Sequence, residues 1–148
     1  MKNLTKWLVL ARTLRTMQSD RPVVSIVIPA YNEEKYLVKT LESVSQIVTK
    51  IPFEIIGVNN ASTDRTRKVF EVFGIRSFDA NKKGLSQARA AGIRAARGEI
   101  IIQLDADTGR AVLKSPDNGG SVCHDILDSL QRTDAKVAHC AMLRIRGK

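Results

Sequence analysis

The sequence predicts an α/β fold, Rossmann-like and three-layered, in which a parallel sheet carries helices on both faces. Short apolar, β-branched runs alternate with segments of helical spacing from residue 22 to residue 108. Strands separated by helices of about 10–15 residues are typical of parallel βαβ units. Right-handed crossovers between such strands place helices on both faces of the sheet.

Four strands are predicted, and each is followed by a polar or turn-forming stretch. The first is β-branched at successive positions, as a strand buried on both faces requires, and Pro29 is expected to end it. The last is apolar until it breaks at Asp105. The predicted strands are residues 23–28, 54–58, 75–78 and 99–104.

Three crossover helices are predicted between these strands. Asn32 is expected to cap the first, with Glu33 and Glu34 in its first turn, where the helix dipole favours anions. The second follows a turn and cap at 62–64, and the third is the alanine-rich segment 85–96 after Gly84.

A ligand site is expected at the carboxyl edge of this sheet, because ligands of open parallel sheets bind beyond the carboxyl ends of the strands. Asp105 and Asp107 follow the last strand at this edge. Hard divalent cations prefer such oxygen ligands, and a diphosphate would supply further oxygens. The four polar stretches expected at this edge are 29–33, 59–64, 81–84 and 105–108.

Four segments, in order and at fitting spacing, resemble the motifs of family 2 glycosyltransferases. The resemblance covers about residues 22–108 and implies a GT-A fold, incomplete here, and transfer of a sugar from a nucleoside diphosphate with inversion. Two departures are Asn59-Asn60 where the family often has Asp, and Ala90 where Asn is common. The segments are SIVIPAYNEE (25–34), VNNASTDRT (58–66), KGLSQARAAG (83–92) and ARGE (96–99) followed by LDAD (104–107).

The resemblance also implies roles for individual residues. Asp107 would bind Mg²⁺ or Mn²⁺ bridging the diphosphate of a UDP- or GDP-sugar donor, and Asp105 would touch the ribose or the sugar. Arg89 would lie near the base or phosphate, with a solvated helix residue as the alternative. The remaining donor-binding positions are Pro29, Ala30 and Tyr31 for the base and ribose pocket, Glu33 beside the nucleotide, and Asn60 at the base edge.

Three residues of these motifs also have purely structural interpretations. Glu34 and Asp64 are expected to be helix-capping residues rather than ligands, and Tyr31 has a core aromatic as its alternative.

Residues 109–148 are predicted to be an atypical tail whose order the sequence leaves open. They do not resemble the family part that supplies the acceptor surface and catalytic base, so the catalytic residue is unknown and the acceptor unidentified. An amphipathic helix around Ile126, Leu127 and Leu130 is expected, and no strand strong enough to extend the sheet. The chain is therefore expected to be truncated, altered or in need of a partner, binding a donor weakly and transferring little sugar.

The N-terminal segment, residues 1–21, is predicted to be a basic amphipathic helix. It could lie on an anionic membrane surface, or it could pack on its own domain. The formal charge of +9 favours anionic partners without choosing among them. The chain is expected in the cytoplasm, with the cytoplasmic membrane surface as the alternative.

Other classes fit the sequence less well. There is no G-x-G-x-x-G after the first strand and no P-loop motif, which disfavours NAD and ATP folds. Aromatic residues make up 5% of the chain and none is interleaved in a basic stretch, which argues against nucleic-acid binding. The alternatives to a glycosyltransferase domain are a non-catalytic nucleotide-binding remnant and a basic interaction module.

Overall fold

The computed structural model describes residues 2–80 and 82–106, together with the backbone of 112–113 and 139–144. Its sheet has the strand order β3-β2-β1-β4-β6-β5, and the first four strands are parallel. The helices are α1 Lys2–Met17, α2 Glu34–Val44, α3 Thr66–Val72 and α4 Leu85–Ala95. The strands are β1 Val24–Ala30, β2 Phe53–Asn59, β3 Arg76–Asp79, β4 Ile100–Leu104, β5 Val112–Leu113 and β6 His139–Arg144.

The predicted three-layer arrangement is confirmed by two separate hydrophobic clusters. The larger lies between the sheet and α1, α2 and α3, and the smaller lies between the opposite face and α4. Successive residues of β1 serve different layers, since Ile26 and Ile28 enter the larger cluster and Val27 the smaller. This alternation explains why β1 has apolar residues on both faces.

The small residues of α4 bring it close to the sheet. A Cβ on Gly92 would lie 2.2 Å from Cγ1 of Val27, so no larger residue fits this position without movement. Ala88, one turn earlier, is fully buried. The alanine-rich composition of this helix is therefore explained by close contact with β1 and β2.

Strand β1 is longer than predicted, because Pro29 lies inside it rather than at its end. Pro29 stays in register with Val58 of β2, and Ala30 with Asn59. On the other side, β4 is in register with β1 only as far as Val27. Pro29 thus lies where β1 has a neighbour on one side only, and a missing amide hydrogen is tolerated there.

The predicted cap at Asn32 is wrong. The N-cap position of α2 is Glu33, and Asn32 adopts a left-handed backbone with φ of 53°. Its side-chain Oδ1 instead accepts a hydrogen bond from the amide of Thr63, at 2.8 Å. Asparagine tolerates this backbone conformation better than most residues, and its oxygen is used by the neighbouring loop.

The expectation of no strand within 109–148 is also wrong. Strand β6 pairs antiparallel with β4, from Ile100 opposite Arg144 to Leu104 opposite Cys140, and β5 pairs with β6. The apolar run before Arg144 has only three residues and is followed by charged residues, so its sequence alone is a weak strand signal. The helix expected around Ile126, Leu127 and Leu130 lies outside the described residues.

Helix α1 packs on its own domain through its C-terminal half. Leu10, Ala11 and Leu14 are buried in the larger cluster, and the ring of Trp7 meets Phe73 edge-on at 6.4 Å. The own-domain alternative is therefore correct for this half, while Leu4 and Leu8 are exposed. Within the described part of the chain, no helix is both long and apolar enough to cross a bilayer.

A buried carboxylate organises the amino edge of the sheet. Glu54 of β2 is 2% exposed and accepts hydrogen bonds from Ser25 Oγ at 2.7 Å, Arg76 Nη2 at 2.8 Å and the amide of Arg97 at 2.8 Å. The guanidinium of Arg97 also donates to it, with Nε at 3.0 Å. These contacts join the strands β1, β2 and β3 to the segment that leads into β4.

Two opposing effects set the pKa of Glu54. Burial raises the pKa of the carboxyl, but hydrogen bonds from Ser25 and Arg97 and the charge of Arg76 outweigh it. The pKa therefore lies below its ordinary value, and Glu54 is a carboxylate in the folded protein.

Candidate functional site

The carboxyl edge of the parallel strands gathers the residues that the sequence marks as a site. The loop after β1 carries Tyr31, the loop after β2 carries Asn60, and Asp105 follows β4. The segment before α4 adds Lys83, and Arg89 projects from the second turn of α4. Such an edge is where ligands of open α/β sheets bind.

The loops after β1 and β2 are joined by hydrogen bonds that run in both directions. The amide of Asn32 donates to Ser62 Oγ at 3.1 Å, and Asn32 Oδ1 accepts from Thr63. We call the whole set the loop lock. Its other bonds run from the amide of Glu33 to Thr66 Oγ1 at 2.8 Å, from that of Glu34 to Asp64 Oδ2 at 3.1 Å, and from that of Arg65 to Glu34 Oε2 at 2.9 Å.

Asp64 is the central acceptor of the loop lock. One carboxylate oxygen accepts from both the amide and the hydroxyl of Thr66, and the other from the amide of Glu34. Burial raises the pKa of Asp64, and the hydrogen bonds from Thr66 and Glu34 outweigh this effect and lower it. Asp64 and Glu34 therefore satisfy amide groups at the starts of α2 and α3, as their structural reading predicts.

Replacing Asp64 by alanine is expected to lower the free energy of unfolding by about 1–2 kcal/mol, because amide groups at two helix starts lose their acceptor. Urea unfolding followed by circular dichroism measures this change. Asp20→Ala, an exposed acid, is the matched control and should change stability by less than about 0.5 kcal/mol. Equal losses in the two variants would contradict the capping role.

Asn59 and Asn60, adjacent at the end of β2, are used differently. Asn59 donates to Asp79 at 2.8 Å and accepts from the amide of Ser62, so both ends of its side chain are engaged. Asn60, 7% exposed, accepts from the amide of Gly84 at 2.8 Å. Its oxygen therefore holds the segment before α4, and its NH₂ is the group that it can offer a ligand.

Tyr31 is 38% exposed, which excludes the core-aromatic alternative. The ammonium of Lys83 lies 4.3 Å from its ring centroid and donates to its hydroxyl at 2.7 Å. Lys83 was not predicted as a site residue, although its position before Gly84 in the third motif signals it. The exposed ring of Tyr31 thus holds a cation at this edge of the sheet.

Arg89 and Asp105 form an ion pair beside this edge. Arg89 Nη2 lies 3.4 Å from Asp105 Oδ1, and the side chain of Asp105 is 21% exposed. The Nε of Arg89 is buried without a hydrogen-bond partner. Since buried donors are normally paired, this Nε is an unsatisfied donor beside the ion pair.

The remaining predicted site residues are Pro29, Ala30, Glu33 and Asp107. Pro29 and Ala30 are buried at the end of β1, and Glu33 is partly buried at the start of α2. Asp107, the predicted metal ligand, lies outside the described residues. Across 2–80 and 82–106, no group of three or more histidine, cysteine, aspartate or glutamate side chains could hold a metal ion.

Fold and edge together define an α/β domain with a candidate ligand site at the carboxyl ends of its parallel strands. The family model for glycosyl transferase family 2 matches residues 25–108, more than half of the chain. The chain therefore belongs to this family.

Similar proteins are themselves named as glycosyltransferases. Poly(ribitol-phosphate) β-N-acetylglucosaminyltransferase TarS of Staphylococcus aureus is 30% identical over 90 residues, covering 56% of this chain and 16% of TarS. Chondroitin synthase of Escherichia coli is 36% identical over 92 residues, covering 58% of this chain and 13% of the synthase. The chain thus spans well under two thirds of these relatives.

Solved structures agree on the fold. TarS residues 1–349 in complex with UDP-GlcNAc match with a TM-score of 0.51 and 28% identity, covering 57% of this chain and 26% of that one. Glucosyl-3-phosphoglycerate synthase of Mycobacterium tuberculosis with UDP matches with a TM-score of 0.54 and 26% identity, covering 65% of this chain and 37% of that one. The GT-A architecture implied by the motifs is therefore confirmed.

Proposed function

We propose that this chain binds a nucleoside diphosphate sugar and serves as the donor-binding part of a glycosyltransferase. The observation that carries the proposal is the convergence of Tyr31, Asn60 and the Arg89–Asp105 pair at one sheet edge. The similar TarS and mycobacterial structures hold UDP-GlcNAc and UDP. These ligands make a UDP-sugar the donor to test first.

The geometry supports a division of roles. Tyr31, with Pro29 and Ala30, lines the base and ribose pocket, and the NH₂ of Asn60 donates to the base edge. Glu33 lies beside the nucleotide. Arg89, whose side chain is 36% exposed, meets a phosphate oxygen, and Asp105 accepts from a hydroxyl of the ribose or sugar.

Lys83 adds a positive charge to the mouth of this site. Its contact with the Tyr31 ring holds the ammonium where an incoming diphosphate would pass. Because the Lys83 side chain is exposed, its ammonium can leave the ring for a phosphate at small cost.

A divalent cation, Mg²⁺ or Mn²⁺, fits the donor chemistry of this edge. Asp105 and Asp107 are oxygen donors, but Asp105 is already paired with Arg89. We therefore propose that Asp107 holds the metal and that Asp105 remains with the arginine. When bound, the metal would neutralise charge on the departing diphosphate as a Lewis acid.

Transfer itself also needs an acceptor hydroxyl and a base within hydrogen-bond reach of it. We assign neither to a residue of this chain. Inversion at the sugar carbon is proposed from family membership, and the acceptor could be a cell-surface polysaccharide or a lipid. The cytoplasmic location stays a prediction.

Titration calorimetry tests donor binding directly. UDP, GDP and their sugars are titrated into the chain with and without Mn²⁺, and we expect UDP or GDP binding that strengthens with metal. Absence of any nucleotide binding would refute the proposal. Robust sugar transfer by the chain alone, in a mass-spectrometric assay, would contradict the expectation that it binds a donor but transfers little sugar.

Replacing Asp107 by alanine is expected to weaken nucleotide binding in Mn²⁺ by about tenfold or more, because the metal loses its carboxylate ligand. The gain in affinity that Mn²⁺ provides should therefore disappear. Calorimetry in Mn²⁺ and in chelator measures the gain for each variant. Asp20→Ala is the control and should keep it. A metal-dependent gain that survives in Asp107→Ala would place the metal elsewhere.

A further inference from the structure

The N-terminal half of α1 presents a solvent-exposed apolar face. Leu4 and Leu8, one helical turn apart, are 63% and 64% exposed, and Trp7 is 45% exposed. Beside them lies Val72 at the end of α3, also exposed. Together they line a shallow groove of about 350 Å³, whose other walls include Arg12 and Arg15. We call this surface the α1 face.

All the charged side chains of helix α1 are positive. Helix α1 contains four cations and no aspartate or glutamate, within a chain of formal net charge +9. Exposed leucine and tryptophan next to arginine are typical of helices that lie in a membrane interface. Tryptophan in particular prefers the level of the lipid headgroups. The cations are Lys2, Lys6, Arg12 and Arg15.

We propose that the α1 face docks on an anionic lipid bilayer. Leu4, Trp7 and Leu8 enter the boundary between headgroups and acyl chains, while Arg12 and Arg15 meet lipid phosphates. The helix lies along the surface, because 16 residues with four cations cannot span the hydrocarbon core. This inference does not depend on donor binding.

Charge complementarity selects the bilayer over a second copy of this chain. Lys6 is paired with Glu42 of α2 at 2.8 Å, so the cations of the face are Arg12 and Arg15. Two α1 faces brought together would set these arginines against each other, and helix α1 has no acid to neutralise them. An anionic bilayer instead supplies a negative charge at each phosphate. Leu10 and Leu14 bury the C-terminal half of α1 in the larger cluster. This packing holds the α1 face exposed on the surface of the domain.

Trp7 is the chain's single tryptophan, so its fluorescence reports on this face alone. We expect a blue shift of its emission when vesicles of phosphatidylcholine and phosphatidylglycerol are added to the chain. Vesicles of phosphatidylcholine alone should produce little shift, and added salt should weaken the effect. An unchanged emission with anionic vesicles would overturn the proposal.

Variants separate the apolar and electrostatic contributions in a vesicle co-sedimentation assay. Leu4→Ser with Leu8→Ser should lower the partition coefficient by at least about tenfold, because two inserted side chains become polar. Arg12→Gln should lower it by about fivefold. Both changes affect exposed side chains, and circular dichroism confirms that the variants are folded.

The control variants change exposed residues elsewhere on the chain. Val48→Ser, at a residue that is 84% exposed, and Arg94→Gln, on α4 across the sheet, should bind vesicles as the wild-type chain does. Equal losses in controls and α1 variants would refute the assignment. A dimer in sedimentation velocity that disappears in the double serine variant would assign the face to a second copy instead.

Discussion

Replacing Glu54 by alanine is expected to lower the free energy of unfolding by about 2–4 kcal/mol. Loss of one partner from a buried ion pair is strongly destabilising, because the other charge is left without compensation. Arg76 and Arg97 have side chains that are 38% and 46% exposed, so water recovers part of the loss. The lower limit of the expected loss is therefore smaller than the loss usual for a fully buried ion pair.

Chemical denaturation of the variant and wild-type chains measures this difference. Glu71→Ala is the matched control, since Glu71 also pairs with two cations, Arg67 and Lys68, but is 45% exposed. Surface pairs contribute little, and its loss should stay below about 1 kcal/mol. A Glu54 variant as stable as the Glu71 variant would contradict the structural role.

The pKa of Glu54 gives this stabilisation a pH dependence. The folded-state pKa is lower than the ordinary value of 4.5, so the contribution is present above pH 4.5 and is lost as the pH falls through the folded pKa. Stability of the wild-type chain should therefore decrease with acidification below that value. Glu54→Gln, which cannot ionise at this position, should show a shallower decrease in the same range.

Replacing Gly98 by alanine is expected to lower the free energy of unfolding by about 2–3 kcal/mol, the upper part of the range for overpacking. A Cβ there would lie 2.8 Å from the Ser25 nitrogen, the Val23 oxygen and the Val24 carbonyl carbon. All three are backbone atoms, so no side chain can rotate away. The movement would also disturb the bond from the Gly98 amide to Ser25 Oγ.

Thermal and urea unfolding measure the Gly98 variant. Its control is Glu99→Ala, one residue further and exposed, which should change stability by less than about 0.5 kcal/mol. If alanine at position 98 is tolerated as well as at 99, then the close approach between β1 and the start of β4 is not a constraint.

The sequence was sufficient for the parallel sheet, because burial on both faces leaves β-branched runs such as that of β1. Polar residues that follow the strands also predicted a site at one edge, and the structure brings Tyr31, Asn60 and Asp105 to that edge. Boundaries were less certain, as Pro29 shows: whether proline ends a strand depends on which side of it has a partner.

Long-range partners could not be predicted from local patterns. In the sequence, Glu54 is simply the first residue of a predicted strand. Its partners Arg76 and Arg97 are distant in sequence, and only the fold brings them to it. Asn32 likewise fits a helix cap locally, but its oxygen is taken by a loop 31 residues away in sequence. Strand β6 was missed because its pairing with β4 outweighs a weak local preference.

The loop lock has a consequence for protein engineering. Because Asp64 and Glu34 each accept a hydrogen bond from a backbone amide of the other's loop, each loop depends on the other for part of its helix start. Grafting one loop from a relative would remove acceptors from the loop left behind. Chimeras intended to change donor preference should therefore exchange residues 31–34 and 60–66 together, as one transplantable unit.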